Sequence, residues 1–279
     1  MYVEQLFEYP IKSCKGIEVA ELDLTLTGPK YDRTLMIVDE GGNFLSQRTH
    51  PHLCLIETDI GDDPGTNRGT AVWVEAPGMK RHVIPLSHAM CKNYPGTEEV
   101  EVVIHGKQCM GIDLGNIHAN WFSAFLGEPV RLIQQVDRLP RIRHSDALDR
   151  NIMVSFADGY PLLITATESL DDLNKRIQVA GGQSVPMDRF RPNIVLSGGE
   201  TYAEDTMNII AIGNATLAGA NKCVRCAITT TDQTSGKRDK EPLATLATYR
   251  KSGKGVEFGR NFVVTGPGKV RRGDKVRFA

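Results

Sequence analysis

The sequence predicts a β-rich α+β fold, and three observations carry that prediction. Short runs of β-branched and apolar residues recur along the chain, separated by Gly, Pro, Asn and Asp, which is typical of a barrel or a sandwich. Segments such as Cys109 to Leu126 and Thr167 to Asn174 instead carry apolar residues at the spacings of three and four that indicate helices. The 279 residues, of which 41% are hydrophobic, suffice for one or two domains with a sizeable core.

The first part of the chain is predicted to consist of strands followed by one helix. The strand candidates are Val3 to Phe7, Glu18 to Leu26, Thr34 to Val38, His52 to Glu57, Ala71 to Val74, His82 to Leu86 and Glu99 to Ile104. The helix is Cys109 to Leu126, in which Trp121 and Phe125 supply the apolar spacing. Gly127 fits just past its end, where a left-handed residue commonly stops a helix.

Residues 136–152 form a separate segment, in which Val136 to His144 are basic and interrupted by Pro140, and this indicates a loop or linker near a domain boundary. Two interpretations of this segment remain open. It is either a solvated connection or a basic rim over an anionic ligand. We predict two domains, residues 1–130 and residues 131–279.

The second part of the chain mixes strands and helices. The strand candidates are Pro161 to Thr165, Asn193 to Ser197, Asn208 to Ile212, Ala215 to Leu217, Ala227 to Thr231, Asn261 to Thr265 and Lys275 to Phe278. Thr167 to Asn174 opens a helix with Thr167 or Ser169 as its N-cap, and Pro242 to Arg250 predicts a short helix.

Composition excludes several classes of function. The net charge of −1 and the pI of about 6.7 argue against a general nucleic-acid or membrane-surface binder, because both need a basic excess. No apolar stretch approaches the roughly 20 residues of a transmembrane helix, and no signal peptide precedes the first strand. We therefore expect a cytoplasmic protein with no nucleic acid or membrane partner. Its six cysteines are too sparse for a disulfide scaffold, so we expect most of them to be reduced.

The most informative motif is Cys223-Val224-Arg225-Cys226. Thiolates bind soft metals and attack electrophiles, and a neighbouring cation favours the thiolate over the thiol. Structural zinc is disfavoured because no second Cys/His pair supplies the other two ligands. A thioredoxin-like site is disfavoured because a strand, Ala227 to Thr231, is predicted to follow, where that motif opens a helix. Two small packing thiols remain an alternative.

Cations and amides recur where predicted strands begin or end. They are Lys12 and Ser13 in Tyr9 to Gly16, Arg33 after Asp32, Arg191 and Asn193, and Asn261 after Arg260. In a barrel such ends converge on one rim, and Lys, Arg, Ser and backbone N–H groups together suit a phosphate. The sequence thus indicates an anionic, phosphate-bearing cofactor held beside a thiolate.

These residues lie in motifs that resemble the two-domain MOSC family, which includes the mitochondrial amidoxime-reducing components and bacterial YcbX-like proteins. The matching segments are Tyr9-Pro-Ile-Lys-Ser-Cys-Lys-Gly16, Asp32-Arg33, Phe190-Arg-Pro-Asn193, Cys223-Val-Arg-Cys226, Lys240-Glu-Pro-Leu-Ala-Thr-Leu246 with Tyr249-Arg250, and Arg271-Arg-Gly-Asp-Lys-Val276. The resemblance spans almost the whole chain. It implies a β-barrel MOSC domain packed on a smaller N-terminal β-barrel domain.

The resemblance also implies a molybdenum cofactor, a pterin dithiolene with one phosphate. Cys226 would be the protein ligand of molybdenum, a soft sulfur for a high-valent metal. The other implied cofactor contacts are Lys12, Ser13 and Arg33 at the phosphate, Arg191 and Asn193 at the pterin, and Val224, Arg225 and Asn261. Asp158 matches an acidic position near the site, and Asp158 and Arg225 are the candidate catalytic groups beside Cys226. Pyridoxal phosphate binding is an association of the family only, and the chain shows no Schiff-base lysine motif.

The reaction implied by the resemblance is reduction of small N-hydroxylated compounds, such as amidoximes, hydroxylamines and N-hydroxylated base analogues. Electrons would come from a separate ferredoxin- or flavin-type protein, because the chain carries no four-cysteine cluster signature and ends at Ala279. The alternatives are a carrier of the cofactor or of persulfide sulfur, without redox turnover, and a binding domain with a degenerate site. Cys223 is either a packing thiol or a redox or sulfur-handling group. We predict a cleft at the domain junction lined by Lys12, Arg33, Arg191 and Cys226.

Overall fold

The computed structural model describes residues 1–62, 70–86, 96–136, 140–253 and 255–278, and it confirms the β-rich fold. In chain order the strands are β1 Tyr2–Glu8, β2 Ile17–Val19, β3 Glu21–Thr25, β4 Gly28–Pro29, β5 Leu35–Val38, β6 Glu57–Asp62, β7 Thr70–Glu75, β8 His82–Pro85, β9 Glu98–Ile104, β10 Lys107–Asp113, β11 Arg131–Gln135, β12 Arg141–Ser145, β13 Arg150–Val154, β14 Leu162–Ala166, β15 Ile194–Ser197, β16 Ile209–Ile212, β17 Ala215–Val224, β18 Lys251–Ser252, β19 Gly255–Gly266, β20 Gly268–Arg271 and β21 Val276–Phe278. The helices are α1 Asn116–Leu126, α2 Thr167–Val179 and α3 Leu243–Leu246. Short 3-10 turns cover Pro51–Leu55, Met187–Phe190, Ala203–Thr206 and Ala227–Thr230.

The largest sheet has nine strands in the order β2-β1-β15-β14-β19-β17-β16-β21, with β18 paired to β19. Its one parallel pair, β14 with β15, is connected through α2, as a parallel pair requires a crossover. The amide of Val3 donates to Asp274 O at 2.9 Å, and the amide of Val276 donates to Met1 O at 3.2 Å. The strand path therefore curls back from β21 onto β1.

A second group of strands surrounds its own core. It contains the sheet β5-β11-β10-β9 and the meander β6-β7-β8, covered by α1. Its core includes Ile37, Val72, Phe122 and Leu132, whereas Leu6, Ile164, Ile194, Leu217 and Phe262 fill the large sheet.

Strand pairing crosses the predicted boundary at residue 130 in both directions. β1 pairs with β15 and β3 with β20, while β11 pairs with β5 and β10. The first strands of the chain thus complete the sheet of its second half, and the domain limits remain a prediction.

The predicted strand Ala227 to Thr231 is wrong. Ala227–Thr230 is a 3-10 turn. Cys226 precedes its first residue, two positions after the end of β17. The hydroxyl of Thr229 donates to Cys226 O at 3.0 Å, and that of Thr230 to Ala227 O at 2.8 Å. Threonine hydroxyls that bond the local backbone compete with strand pairing.

Two other predicted elements of the first half need correction. His52 to Glu57 is not a strand, because Pro51 begins a 3-10 turn that ends at Leu55. The predicted helix Cys109 to Leu126 starts too early, because Cys109 to Asp113 belong to β10 and pair with β9. The end of the helix is as predicted, with Gly127 in the left-handed conformation at φ 77°.

The predicted linker is also structured. Arg141 to Val154 form the hairpin β12–β13, and residues 137–139 lie outside the described part. Neither predicted N-cap of α2 is one: the helix follows Ala166 with no side-chain cap, and the Ser169 hydroxyl bonds Glu204 instead. Several predicted strands are longer than expected, notably β17 and β19.

The described cysteines, at positions 14, 54, 109, 223 and 226, are all free, and Cys91 lies outside the described residues. No helix within the described residues is long and apolar enough to span a bilayer.

Candidate functional site

A cavity of about 440 Å³ lies where β14, β17, β19 and the 3-10 turn Met187–Phe190 meet loops from the first half of the chain. All of the predicted site residues line it: Lys12, Ser13, Arg33, Asp158, Arg191, Asn193, Val224, Arg225, Cys226 and Asn261. The structure thus brings together residues separated by up to 249 positions in the printed sequence. Their individual roles remain predictions.

Backbone strain is concentrated at this cavity. Of the six described non-glycine residues with positive φ, four line it: Ser13, Arg33, His105 and Arg191, with φ between 50° and 71°. Such conformations cost free energy and persist where the surroundings impose them, which is common at functional sites.

Two arginines share one aromatic platform in the cavity wall. The guanidinium carbons of Arg33 and Arg191 lie 4.1 and 4.3 Å from the centroid of the buried Tyr9 ring. Arg33 donates to Asp32 at 2.5 Å, whereas Nη2 of Arg191 is buried and has no protein partner among the described residues. Burial lowers the pKa of Arg191. The two adjacent guanidiniums have one carboxylate, Asp32, which pairs with Arg33. The remaining positive charge favours binding of an anion at Arg191.

Cys226 is half buried at the start of the 3-10 turn Ala227–Thr230, and its cation comes from a distant part of the chain. Arg48 Nη1 lies 3.6 Å from Cys226 Sγ. Arg225, the sequence neighbour, instead places Nη1 2.7 Å from Cys223 Sγ and donates from Nη2 to Phe190 O at 2.7 Å. Each thiol therefore has its own guanidinium.

Buried amides hold Arg48 in place. The side chains of Gln47 and Gln233 donate to each other at 3.1 and 3.0 Å, and Gln47 also donates to Ser13 O at 2.7 Å. Arg238 Nη2 donates to Arg48 O at 2.6 Å. These bonds tie the loop carrying Arg48 to the segment that follows Cys226.

The carboxylate of Asp158 contacts three basic side chains. Its carboxylate forms an ion pair with Lys12 Nζ, and it lies 3.2 Å from His105 Nε2 and 3.6 Å from Arg48 Nη1. Desolvation alone would raise the pKa of Asp158, but the charges and hydrogen bonds of Lys12 and His105 hold it well below its usual range. The same desolvation lowers the pKa of Lys12, which also donates to Phe156 O at 2.8 Å. Asp158 is therefore a carboxylate at neutral pH.

Sequence reasoning missed several residues of this cavity. Arg48 reaches Cys226, and His105, Arg143 and Lys222 line the wall. His105-Gly106 between two apolar runs is a turn signal, but nothing in the sequence says that the turn faces Asp158. Among the described residues, no three His, Cys, Asp or Glu side chains lie together as ligands for a metal ion.

The chain matches two known domain families, one in each half. Residues 1–129 match the MOSC N-terminal beta barrel domain, and residues 151–277 match the MOSC domain. The chain belongs to the MOSC family. This confirms the resemblance stated from the sequence motifs.

Curated relatives of this MOSC chain are similar over nearly its whole length. Mitochondrial amidoxime-reducing component 1 of Mus musculus is 36% identical over 292 residues, covering 98% of the chain and 81% of the relative. The human protein of the same name is 34% identical, covering 98% of the chain and 82% of the relative. Molybdenum cofactor sulfurase of Oryza sativa subsp. japonica is 32% identical over 272 residues, covering 93% of the chain but 32% of that protein.

Proposed function

We propose that this MOSC chain binds a molybdenum cofactor through Cys226 and reduces small N-hydroxylated compounds. The observation that carries the proposal is one cavity that contains both a half-buried thiol and a buried arginine nitrogen with no partner in the described part of the chain. The names of its relatives, amidoxime-reducing components and molybdenum cofactor sulfurase, agree with it.

The cavity fits the anionic end of such a cofactor. Nη2 of Arg191 is a buried donor that lacks a protein acceptor among the described residues, and such a donor is costly to bury unless a ligand pairs with it. Among these residues the lining carries six cations and one carboxylate: Lys12, Arg33, Arg143, Arg191, Lys222 and Arg225 against Asp158. Lys12, Ser13, Arg33 and Arg191 would hold the phosphate and the pterin, with Asn193 and Asn261 nearby.

The cavity also fits the metal end. Cys226 Sγ would be the ligand, because a thiolate suits a soft or high-valent metal. Arg48, 3.6 Å from this sulfur, balances its negative charge, and Val224 and Arg225 border it. When bound, the cofactor supplies two-electron chemistry coupled to oxygen-atom transfer. The electrons would come from a separate electron-transfer protein.

The test is to purify the chain from a host that makes the cofactor and to measure molybdenum, pterin and benzamidoxime reduction with an artificial donor. The wild type should carry about one molybdenum per chain and be active. Cys226→Ala should lose both. Cys109→Ser, which changes a free cysteine outside the cavity lining, is the control and should match the wild type. Full activity of Cys226→Ala would contradict the ligand assignment.

A carrier function is the second candidate, and the 2.7 Å contact of Arg225 with Cys223 favours it, because a guanidinium stabilises a nucleophilic thiolate. In that case mass spectrometry of the purified chain would find persulfide on Cys223 or Cys226 and no molybdenum.

A further inference from the structure

His105 occupies an unusual position in the hairpin that joins β9 to β10. His105 and Gly106 are the two central residues of the turn, with φ of 50° and 73°. This pattern of two positive φ values is that of a type I′ turn, for which Asn-Gly is the preferred sequence. Histidine tolerates positive φ better than most residues but is not the residue that this turn prefers, so the turn by itself does not select it.

The imidazole of His105 faces the cavity and is held from two sides. Its Nε2 lies 3.2 Å from Asp158 Oδ1, and its ring packs edge-on against Phe44 with centroids 4.8 Å apart. Phe44 also supports Lys12 and Arg48, whose charged groups lie 5.1 and 5.7 Å from its centroid. A carboxylate at one ring nitrogen orients an imidazole and stabilises its protonated form.

The charged groups nearest to Asp158 and on the adjacent strand are poor proton donors. Asp158 is held as a carboxylate by the ion pair with Lys12. Lys12 is 5% exposed, and its ammonium is engaged by Phe156 O and Asp158. Arg48 and Arg143 carry guanidinium groups, a side-chain type that does not serve as a proton donor in proteins. The His105 side chain is 40% exposed and is a residue type that exchanges protons near neutral pH.

We propose that His105 is the catalytic proton donor for reduction of the N-hydroxylated substrate, oriented by Asp158. This proposal rests on the proposed function. In the overall reaction the N–O bond of R–NH–OH breaks, the nitrogen gains two electrons from the electron-transfer protein, and two protons complete R–NH2 and water. His105 gives one of these protons to the oxygen that leaves the nitrogen and becomes water, and it is reprotonated from solvent through the open side of the cavity.

The charged groups around His105 and its partner Asp158 come from several elements. Asp158 follows β13, and its carboxylate pairs with Lys12 after β1 and Arg48 before the turn Pro51–Leu55. On β12, Arg141 interacts electrostatically with Asp158, and Arg143 lines the same cavity. Asp158 pairs with both Lys12 and Arg48 and lies 3.2 Å from His105 Nε2, so its carboxylate links His105 to these two cations.

Two substitutions separate proton donation from a structural role. His105→Asn supplies the residue that the turn prefers, and His105→Gly accepts the positive φ without strain while opening space for a small base. Both should fold and load molybdenum like the wild type. His144→Asn, an exposed histidine of β12 outside the cavity lining, is the matched control.

The expected result is a fall in kcat of roughly 100-fold for both variants at pH 7, in the range of general acid catalysis, with KM within about twofold. The alkaline fall of the wild-type pH–rate profile should be lost, and added imidazole should restore part of the activity of His105→Gly. In ring-nitrogen NMR of the holoprotein, the signal that His105→Asn removes should move when benzamidine, the product of benzamidoxime reduction, is added.

Unchanged kcat and pH profile in His105→Asn, with an active wild type, would overturn this proposal and leave the proposed function intact. A loaded wild type without reductase activity would instead overturn the proposed function. Loss of molybdenum in both variants would show that His105 supports the cofactor site rather than donating protons, which also contradicts the proposal.

Discussion

At the scale of single residues, the site depends on which charges find partners inside the protein. Arg33 pairs with Asp32 and Lys12 with Asp158, but among the described residues neither Nη2 of Arg191 nor Nε of Arg225 has a partner. An unpaired buried cation costs stability in the absence of a ligand. A ligand group that pairs with Nη2 of Arg191 would remove that cost, which supports the proposed role of Arg191 in binding the cofactor.

Arg191→Gln tests that explanation. We expect molybdenum content to fall at least tenfold because the anionic end of the cofactor loses a buried donor. We expect the free energy of unfolding of the metal-free protein to change by less than about 1 kcal/mol, since no internal ion pair is lost. Metal analysis and urea unfolding measure the two effects, with the exposed Arg176→Gln as control. A large loss of stability with normal molybdenum content would contradict the assignment.

The two thiols of the Cys223–Cys226 motif should respond to different arginines. Arg48→Gln should slow alkylation of Cys226 in the metal-free protein about threefold and leave Cys223 unchanged, because the guanidinium stabilises the reacting thiolate. Arg225→Gln should show the reverse pattern, since Arg225 contacts Cys223. Mass spectrometry after timed iodoacetamide treatment measures both rates. If Arg225→Gln slowed the alkylation of Cys226 instead, the sequence neighbour and not Arg48 would be the cation that acts on Cys226, which would contradict the geometry.

At the scale of elements, the 3-10 turn Ala203–Thr206 buries an acid. Glu204 is 0% exposed, its Oε2 accepts from the Ser169 hydroxyl at 2.9 Å, and its Oε1 has no partner among the described residues. Burial raises the pKa of Glu204 to about 7. The folded protein thus prefers the protonated acid.

This preference makes a pH-dependent contribution to stability. Between the ordinary glutamate pKa of about 4.3 and the folded value near 7, the unfolded chain releases its proton while the folded chain retains it. The free energy of unfolding should therefore fall as pH rises from 5 to 8. Glu204→Gln should reduce that fall by roughly 2 to 3 kcal/mol in urea unfolding, from about 1.36 kcal/mol per pKa unit. The exposed Glu200→Gln is the control, and an equal fall in both variants would refute the assignment.

Strands could be predicted from the sequence where the pattern of apolar residues also determines which face of the strand packs against a core. β1, β5, β7 and β9 are strands close to the predicted bounds, because alternating or continuous apolar residues meet a core there. The turn Ala227–Thr230 was not predictable from β-branching, because the hydroxyls of Thr229 and Thr230 bond the backbone instead. Arg48 and His105 could not be assigned to the cavity, since they reach it through pairing of distant segments.

At the scale of the whole molecule, the halves of the chain are joined next to the cavity. Gln47 and Gln233 are buried and exchange reciprocal hydrogen bonds across 186 positions of sequence. Gln47 also bonds Ser13 O, so the junction and the cavity wall share atoms. The net charge of the whole chain is −1, although the cavity lining is strongly cationic. The positive charge is therefore concentrated at the cavity rather than spread over the molecule.

The glutamine pair should behave as one unit. Gln47→Leu and Gln233→Leu should each lower the free energy of unfolding by about 1 to 3 kcal/mol, because each leaves the amide oxygen of the other glutamine buried without its donor. The double variant should cost less than the sum, since no unpaired amide remains between the two positions. Urea unfolding of the four proteins measures this coupling, and strictly additive losses would show that the pair does not couple the halves.

The proposed function depends most on ligation of molybdenum by Cys226. X-ray absorption at the molybdenum edge of the loaded protein tests it most directly, because it counts sulfur neighbours of the metal. The wild type should show one more sulfur ligand than Cys226→Ser in whatever molybdenum that variant retains, and Cys109→Ser should match the wild type. An identical sulfur count in wild type and Cys226→Ser would contradict the account.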